Sequence, residues 1–204
     1  MQEGLFITLE GVDGVGKSTQ AHFLKEFLEK EGHRVRHTFQ PGGTELGSQI
    51  RDLLLNPAHS ELQEKAEILL YAADRAQHVF EIIRPALQRS ETVICERFTD
   101  SSIAYQGYGL GLDVEMVKTI NRWATAGLDP DLTIYLDAEP SLSLQKTKGD
   151  RIEQRTVDYY TRVRYGYLEI AKAEPERVMV VPASGTREEV AERVIEAFRG
   201  RLGL

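Results

Sequence analysis

The segment GVDGVGKST at residues 11–19 combines glycines, a lysine and a serine in the pattern G-x-x-x-x-G-K-[ST]. Glycines permit a loop whose successive backbone N–H groups point inward at phosphate oxygens. We expect Lys17 to reach the β- and γ-phosphates of a nucleoside triphosphate and the Ser18 hydroxyl to bind Mg²⁺. The expected phosphate-binding residues are Gly11, Val12, Asp13, Gly14, Val15, Gly16, Lys17, Ser18 and Thr19.

Three further polar segments each carry one arginine: QPGGTELGSQIR at 40–51, YAADRAQH at 71–78 and ERFTDSSIAYQG at 96–107. The forked guanidinium group is well suited to binding a phosphate monoester. Any one of these arginines alone would more often form an ordinary surface ion pair. Together, Arg51, Arg75 and Arg97 indicate a site for a phosphorylated acceptor.

Apolar runs alternate with helical patterns along the chain, which predicts an α/β fold. The elements of this fold must position the groups named above. The predicted strands cover 5–10, 34–39, 92–95, 132–137 and 177–182. Helices are predicted at about 17–31, 46–55, 61–84, 113–127 and 157–173, the third ending near Pro85. A last helix should start at Thr186, with Glu189 completing a capping box.

This alternation predicts one P-loop domain over 1–204, a three-layer fold with a five-stranded parallel sheet and helices on both faces. Ligands bind such sheets at the carboxyl ends of the strands. The phosphate loop follows the first strand, and two of the arginine segments follow the second and third. The site should therefore form at this edge.

Composition narrows the class of function. The formal net charge of −7 over 204 residues disfavours a non-specific nucleic-acid binder. The single cysteine, Cys95, cannot form an internal disulfide. No apolar run is long enough to span a membrane, and the first residues lack the pattern of a secretory signal. We therefore expect a cytoplasmic protein.

Taken together, the arginine segments and the phosphate loop resemble the bacterial type of thymidylate kinase. The resemblance includes the PGGT turn, the ADR segment, the S-S-x-A-Y-Q-G stretch, the PDLTIYLD strand and the DRIE segment. It implies transfer of the γ-phosphoryl group of ATP to dTMP with Mg²⁺, in dTTP biosynthesis. It also implies a homodimer, with contacts on the helices at 46–88.

The resemblance assigns roles by position. Arg75 and Arg97 would bind the dTMP phosphate, with Arg75 also near the base and Arg51 as a further phosphate ligand. Tyr71 would stack on thymine, and Asp13 would accept a hydrogen bond from the 3′-hydroxyl. The remaining expected dTMP contacts are Pro41, Ser102, Tyr105 and Gln106.

Charge on the transferred group must be neutralised, and none of the variable loop positions 12–15 is basic. A lid over about 145–156 should therefore supply the neutralising positive charge, as in the bacterial type. The candidate catalytic residues are Lys17, Arg97, Arg151, Lys146 and Lys148, with Arg155 also in the lid. Lid closure would also exclude water, which competes as an acceptor.

The chain departs from the family pattern at three places. Gln40 stands where the family usually has Glu, Glu96 replaces an Asp, and lysines replace arginines in the lid. Glu96 could still hold Mg²⁺ through a water molecule. The alternatives left open are a kinase for another pyrimidine monophosphate and a catalytically impaired nucleotide-binding protein. A GTP-dependent switch protein is disfavoured because the sequence lacks an N-K-x-D motif.

Overall fold

The structure is a computed structural model that describes residues 4–140 and 149–202. Its centre is a parallel sheet of five strands in the order β2-β3-β1-β4-β5. The strands are β1 (Phe6–Glu10), β2 (Val35–Phe39), β3 (Thr92–Glu96), β4 (Leu132–Asp137) and β5 (Val178–Pro182). The predicted fold class and all five predicted strands are confirmed.

Helices cover both faces of this sheet. They are α1 (Lys17–Lys30), α2 (Glu45–Leu55), α3 (Glu64–His78), α4 (Arg84–Gln88), α5 (Thr99–Ser102), α6 (Val114–Ala124), α7 (Val157–Ala173) and α8 (Arg187–Leu202). Short helical segments of other types lie at Pro57–His59, Val79–Ile83 and Ile103–Gly109. The capping box before α8 is confirmed, since Glu189 N donates to Thr186 Oγ1 and Thr186 N to Glu189 Oε2.

The core lies in two layers, one on each face of the sheet. On one face, Leu132 and Ile134 of β4 pack with Leu24 of α1 and Phe198 of α8. On the other face, Tyr135 packs with residues of α7 and of the π-helical segment at 103–109. Every residue of β1 and β3 is buried, as expected for strands covered on both sides.

One helical prediction needs correction, and one helical stretch was not predicted. The helix predicted to stop near Pro85 continues to Gln88, because the wider π-type turn Val79–Ile83 resets the hydrogen bonding ahead of the proline. Pro85 then lies in the first turn of α4, where a backbone N–H is not needed for the helix hydrogen bonds. The stretch 99–109, whose conformation was not predicted, is helical throughout.

The topology positions the site at one edge of the sheet. β1 lies between β3 and β4, so the loop after β1 neighbours the residues that follow β3. The backbone N–H of Arg97, just beyond β3, donates to the carbonyl of Leu9 in β1. Among the residues that the structure describes, no helix is long and apolar enough to cross a membrane.

Candidate active site

The phosphate loop joins β1 to α1 in the conformation that its glycines allow. Gly11, Gly14 and Gly16 all have positive φ angles, of 146°, 73° and 107°. A Cβ atom on Gly11 would lie 2.8 Å from the carbonyl oxygen of Leu136, so no larger residue fits there. Val12 is buried in the core and can offer phosphates only its backbone N–H.

Lys17 begins α1 with its ammonium group turned into the loop. Nζ donates to the carbonyl oxygens of Gly11 and Val12, at 3.1 and 3.0 Å. Burial and the nearby Arg97 guanidinium lower the pKa of Lys17 to about 7. A bound triphosphate would supply the negative charge that the two carbonyl dipoles only partly replace.

The two residues predicted to hold the metal are in direct contact. Ser18 Oγ donates to Glu96 Oε2 at 2.6 Å, and His37 Nε2 lies 2.9 Å from Glu96 Oε1. Although burial opposes ionisation, the hydrogen bonds from His37 and Ser18 lower the pKa of Glu96. An ionised carboxylate beside a hydroxyl is a set of oxygen ligands that fits Mg²⁺.

A cavity opens beside the loop. It is lined by all nine residues predicted to bind the acceptor, namely Asp13, Pro41, Arg51, Tyr71, Arg75, Arg97, Ser102, Tyr105 and Gln106. Four of its lining residues also line the cleft along the phosphate loop: Asp13, Gln40, Arg51 and Arg97. The cavity and the cleft therefore meet at these four side chains.

Arg75 lines the cavity but not the cleft. The residue is 2% exposed, and its guanidinium donates to Gln40 Oε1, Ser102 Oγ, Asn121 Oδ1 and the carbonyl of Phe98. These contacts use four of the five N–H groups of an arginine. Both contacts predicted for Arg75, with the acceptor phosphate and near the base, stay predictions.

Arg97 lies at the junction of the cavity and the cleft. Its Nη2 is 2.5 Å from Asp13 Oδ1, and its Nη1 donates to the carbonyl of Gly11. The Tyr105 hydroxyl donates to Asp13 Oδ2 at 3.0 Å, and the Arg97 guanidinium lies over the Tyr105 ring. Although burial favours the neutral acid, Arg97 and Lys17 lower the pKa of Asp13.

Arg51 reaches the same junction from α2. Its Nη1 donates to the carbonyl of Pro41 at 2.8 Å, and this is its one hydrogen bond among the described residues. The guanidinium also lies 5.9 Å from the centre of the Phe39 ring. Most of its N–H groups therefore stay available to an acceptor phosphate.

The described part of the lid lies against the acceptor cavity. Arg151 donates to the carbonyl of Leu54 and, at 2.7 Å, to Glu67 Oε2, while Arg155 reaches the same Glu67 oxygen at 2.6 Å. Glu67 Oε1 accepts from Gln106 Nε2. Arg151 is thus anchored to α2 and α3 in this conformation. Lys146 and Lys148 lie outside the described residues.

Several polar residues that support the site were not singled out from the sequence. Glu10 accepts from the N–H of Phe98 and the hydroxyls of Ser101 and Tyr167, all within 2.8 Å. Its position as the one acidic residue at the end of the apolar run LFITLE could have identified it. Asn121 and Glu67 lie in helical segments whose sequence carries no comparable signal.

Comparison with known proteins agrees with the geometry. The sequence model of the family described as thymidylate kinase matches residues 9–194. The chain is 47% identical to the thymidylate kinase of Synechococcus sp. (strain JA-3-3Ab) over 97% of both chains, and 48% identical to that of Pelotomaculum thermopropionicum over 96% of both. The crystal structure of thymidylate kinase from Ehrlichia chaffeensis superposes with a TM-score of 0.81 at 35% identity, covering 97% of this chain and 99% of the other. This chain belongs to the thymidylate kinase family.

Proposed function

We propose that this protein transfers the γ-phosphoryl group of ATP to dTMP, giving ADP and dTDP for dTTP biosynthesis. The observation that carries the proposal is the meeting of a phosphate-loop cleft and a separate acceptor cavity at Asp13, Gln40, Arg51 and Arg97. Phosphoryl transfer needs donor and acceptor phosphates in line, and this junction is where the two would meet.

The acceptor phosphate would be held by Arg75 and Arg97, with Arg51 as a further ligand; Arg51 and Arg97 line both spaces. Arg75, Ser102 and Gln106 would face the base. Tyr71 lies one helical turn before Arg75 on α3, so both reach the same cavity, and its ring can stack on a pyrimidine. Pro41 and Tyr105 line the cavity wall.

On the donor side, the loop backbone and Lys17 would bind the ATP phosphates. Mg²⁺ would be held by Ser18 and, directly or through water, by Glu96; when bound it supplies positive charge to the phosphates. No cluster of three or more His, Cys, Asp or Glu that could hold a metal occurs within residues 4–140 and 149–202. Phosphate and water oxygens would therefore complete the coordination.

Charge on the transferred group would be neutralised by Lys17, Arg97 and the lid residues Lys146, Lys148 and Arg151. Arg151 uses two of its five N–H groups on Leu54 and Glu67, so the phosphate would be contacted by the others. The lid over about 145–156 would belong to one domain spanning residues 1–204. The cytoplasmic location stays a prediction.

We also propose that the protein is a homodimer. Helix α3 packs against both α2 and α6. Exposed apolar side chains lie on all three helices and on the segment after α3: Leu46, Leu53, Leu69, Phe80, Met116 and Trp123. The pairs on α2 and α6 are each seven residues apart, so each pair forms a stripe on one helix face. Apolar stripes on neighbouring helices fit a second copy of the same surface.

The test is a coupled assay of ADP release with ATP and Mg²⁺, in which dTMP, dUMP, dCMP, dGMP and AMP are supplied separately. Release with dTMP well above the others is the expected result. Since thymine differs from uracil by one methyl group, worth about 1–3 kcal/mol, dUMP should be a poor substrate rather than inert. Best release with another pyrimidine nucleotide, or dTMP binding without any release, would contradict the proposal.

A further inference from the structure

His78, at the C-terminal end of α3, is fully buried between the β2 strand and the PGGT turn. Its Nε2 lies 2.6 Å from Thr38 Oγ1, and its Nδ1 lies 2.7 Å from Gln40 Nε2. A Cβ atom on Gly43 would come within 2.6 Å of the ring, so the turn holds the imidazole closely. His78 lines neither the acceptor cavity nor the phosphate-loop cleft.

The direction of each hydrogen bond follows from Arg75. An arginine can only donate, so the Gln40 atom 3.0 Å from Arg75 Nε must be the amide oxygen. The amide NH₂ of Gln40 then faces His78 Nδ1, which must carry no proton. The proton of a neutral imidazole is therefore on Nε2, and it is donated to Thr38 Oγ1.

This chain of bonds ends on Arg75, which lines the acceptor cavity. The Gln40 amide oxygen binds Nε of Arg75, while Ser102, Asn121 and Phe98 bind its other nitrogens. Within residues 4–140 and 149–202, one N–H of Arg75 has no partner and could serve an acceptor molecule. If the amide of Gln40 rotated, its NH₂ would face Nε, and two donors would meet.

We propose that His78 is a positioning residue for acceptor binding: its unprotonated Nδ1 fixes the amide of Gln40, which in turn fixes the guanidinium plane of Arg75. This inference rests on the proposed function, in which Arg75 faces the base of dTMP. Burial and the Arg75 charge lower the pKa of His78 to about 4, which agrees with a neutral ring at physiological pH. Gln at position 40 is integral to this arrangement, since a carboxylate there could accept a proton from Nδ1 but could not donate one to it.

Steady-state kinetics of two variants at the same buried place test the proposal. His78→Phe removes the acceptor for Gln40, so the amide can rotate and turn its NH₂ towards Arg75 Nε. The KM for dTMP should then rise by about tenfold or more, the effect of losing one hydrogen bond to a charged group. The KM for ATP should change less than twofold. Thr38→Val is the matched control: it removes the partner of Nε2 but leaves the Nδ1 contact, so the KM for dTMP should stay within about twofold.

Thermal unfolding of both variants would show how far each disturbs the fold. An equal rise in the KM for dTMP in Thr38→Val and His78→Phe would mean that the imidazole serves only packing, and it would overturn the proposal. An unchanged KM for dTMP in a folded His78→Phe protein would also overturn it.

A second measurement does not depend on activity. ¹⁵N chemical shifts of the imidazoles in the wild-type protein at pH 7 should show a His78 ring protonated on Nε2 only, assigned among the five histidines by comparison with His78→Phe. Gln40→Glu should place a proton on Nδ1. A proton on Nδ1 of His78 in the wild type would refute the proposed positioning of Gln40 and Arg75 by His78. Absence of dTMP-dependent ADP release would instead refute the proposed function while leaving the tautomer result valid.

Discussion

Lys17 carries its charge in an unfavourable setting before the nucleotide binds. Its ammonium group is buried beside Arg97, and its hydrogen-bond partners among the described residues are two loop carbonyls. With a pKa of about 7 in the empty loop, the side chain is increasingly neutral as the pH rises above 7. Triphosphate binding favours the charged form, so above pH 7 binding and proton uptake must be coupled.

We therefore predict that ATP affinity falls by up to about tenfold per pH unit above pH 7, as this linkage requires. Calorimetry at pH 7.5–9 in two buffers of different ionisation enthalpy would measure the protons taken up. Lys17→Arg is the control, because a guanidinium stays charged over this range and should give weaker but pH-independent binding. Wild-type affinity that does not vary with pH would contradict the prediction.

Asp13 is placed at the junction of the two spaces, where a carboxylate is unfavourable next to phosphates. Arg97 and Tyr105 hold it in position, and its carboxylate faces the acceptor cavity. If Asp13 accepts a hydrogen bond from the 3′-hydroxyl, Asp13→Asn should lower kcat/KM for dTMP by about ten- to hundredfold, the range for a hydrogen bond to a charged group.

The matched comparison for Asp13 uses 3′-deoxy-dTMP. The kcat/KM of the wild-type enzyme should fall when dTMP is replaced by 3′-deoxy-dTMP. The kcat/KM of Asp13→Asn should fall little on the same replacement, because the partner of the hydroxyl is already altered. Equal further losses in both enzymes would show that Asp13 acts on something other than this hydroxyl.

Helix α3 organises the acceptor side through three residues of one short segment. Arg75 faces the cavity and His78 contacts Gln40. Asp74 accepts the N–H of Gly42 at 2.9 Å and so holds the PGGT turn. The second oxygen of Asp74 is buried without a hydrogen-bond partner among the described residues. Burial raises the pKa of Asp74 to about 6.

This raised pKa predicts a pH-dependent stability difference. The folded state binds the Asp74 proton more tightly than the unfolded chain, so the carboxylate destabilises the fold increasingly as the pH rises from about 4 to 6. Asp74→Asn keeps the acceptor for Gly42 and does not titrate. Its free energy of unfolding relative to wild type should increase by about 2 kcal/mol between pH 4 and 7, as the linkage for this pKa shift requires. Denaturant unfolding at pH 4 and 7 would measure it; a difference that does not change with pH would contradict the assignment.

The sequence predicted the sheet well because its strands are continuous apolar runs covered on both faces. It could not predict that the chain continues through Pro85, since that depends on a π-type turn whose hydrogen bonding has no sequence signature. The acceptor cavity was predictable from motif residues alone. The partners of those residues were not: Glu67, Asn121 and His78 acquire their roles only when α3, α6 and β2 pack together.

At the scale of the whole molecule, the site lies where the strand order changes direction. In the order β2-β3-β1-β4-β5, the chain leaves β1 towards β2 on one side and leaves β3 towards β4 on the other side. The loops after the neighbouring strands β1 and β3 therefore run in opposite directions from the same edge of the sheet. The donor cleft and the acceptor cavity form on this edge, with α2 and α3 enclosing the acceptor. The same two helices carry exposed apolar side chains on their outer surfaces. Self-association would therefore place the partner subunit against helices that shape the acceptor cavity.

Trp123 and Phe80 are the most exposed large apolar side chains in the described part of the chain, at 86% and 77%. If they are buried between two copies, a charge at either place should separate the subunits, because an unpaired buried charge is costly. We predict that Trp123→Glu is monomeric by sedimentation velocity at micromolar concentration, whereas wild type is dimeric. Val180→Glu is the matched control, since Val180 is exposed on β5, an outer strand of the sheet that packs against α7 and α8, and this variant should remain dimeric. A dimeric Trp123→Glu protein would place the interface elsewhere, and a monomeric wild type would refute the homodimer.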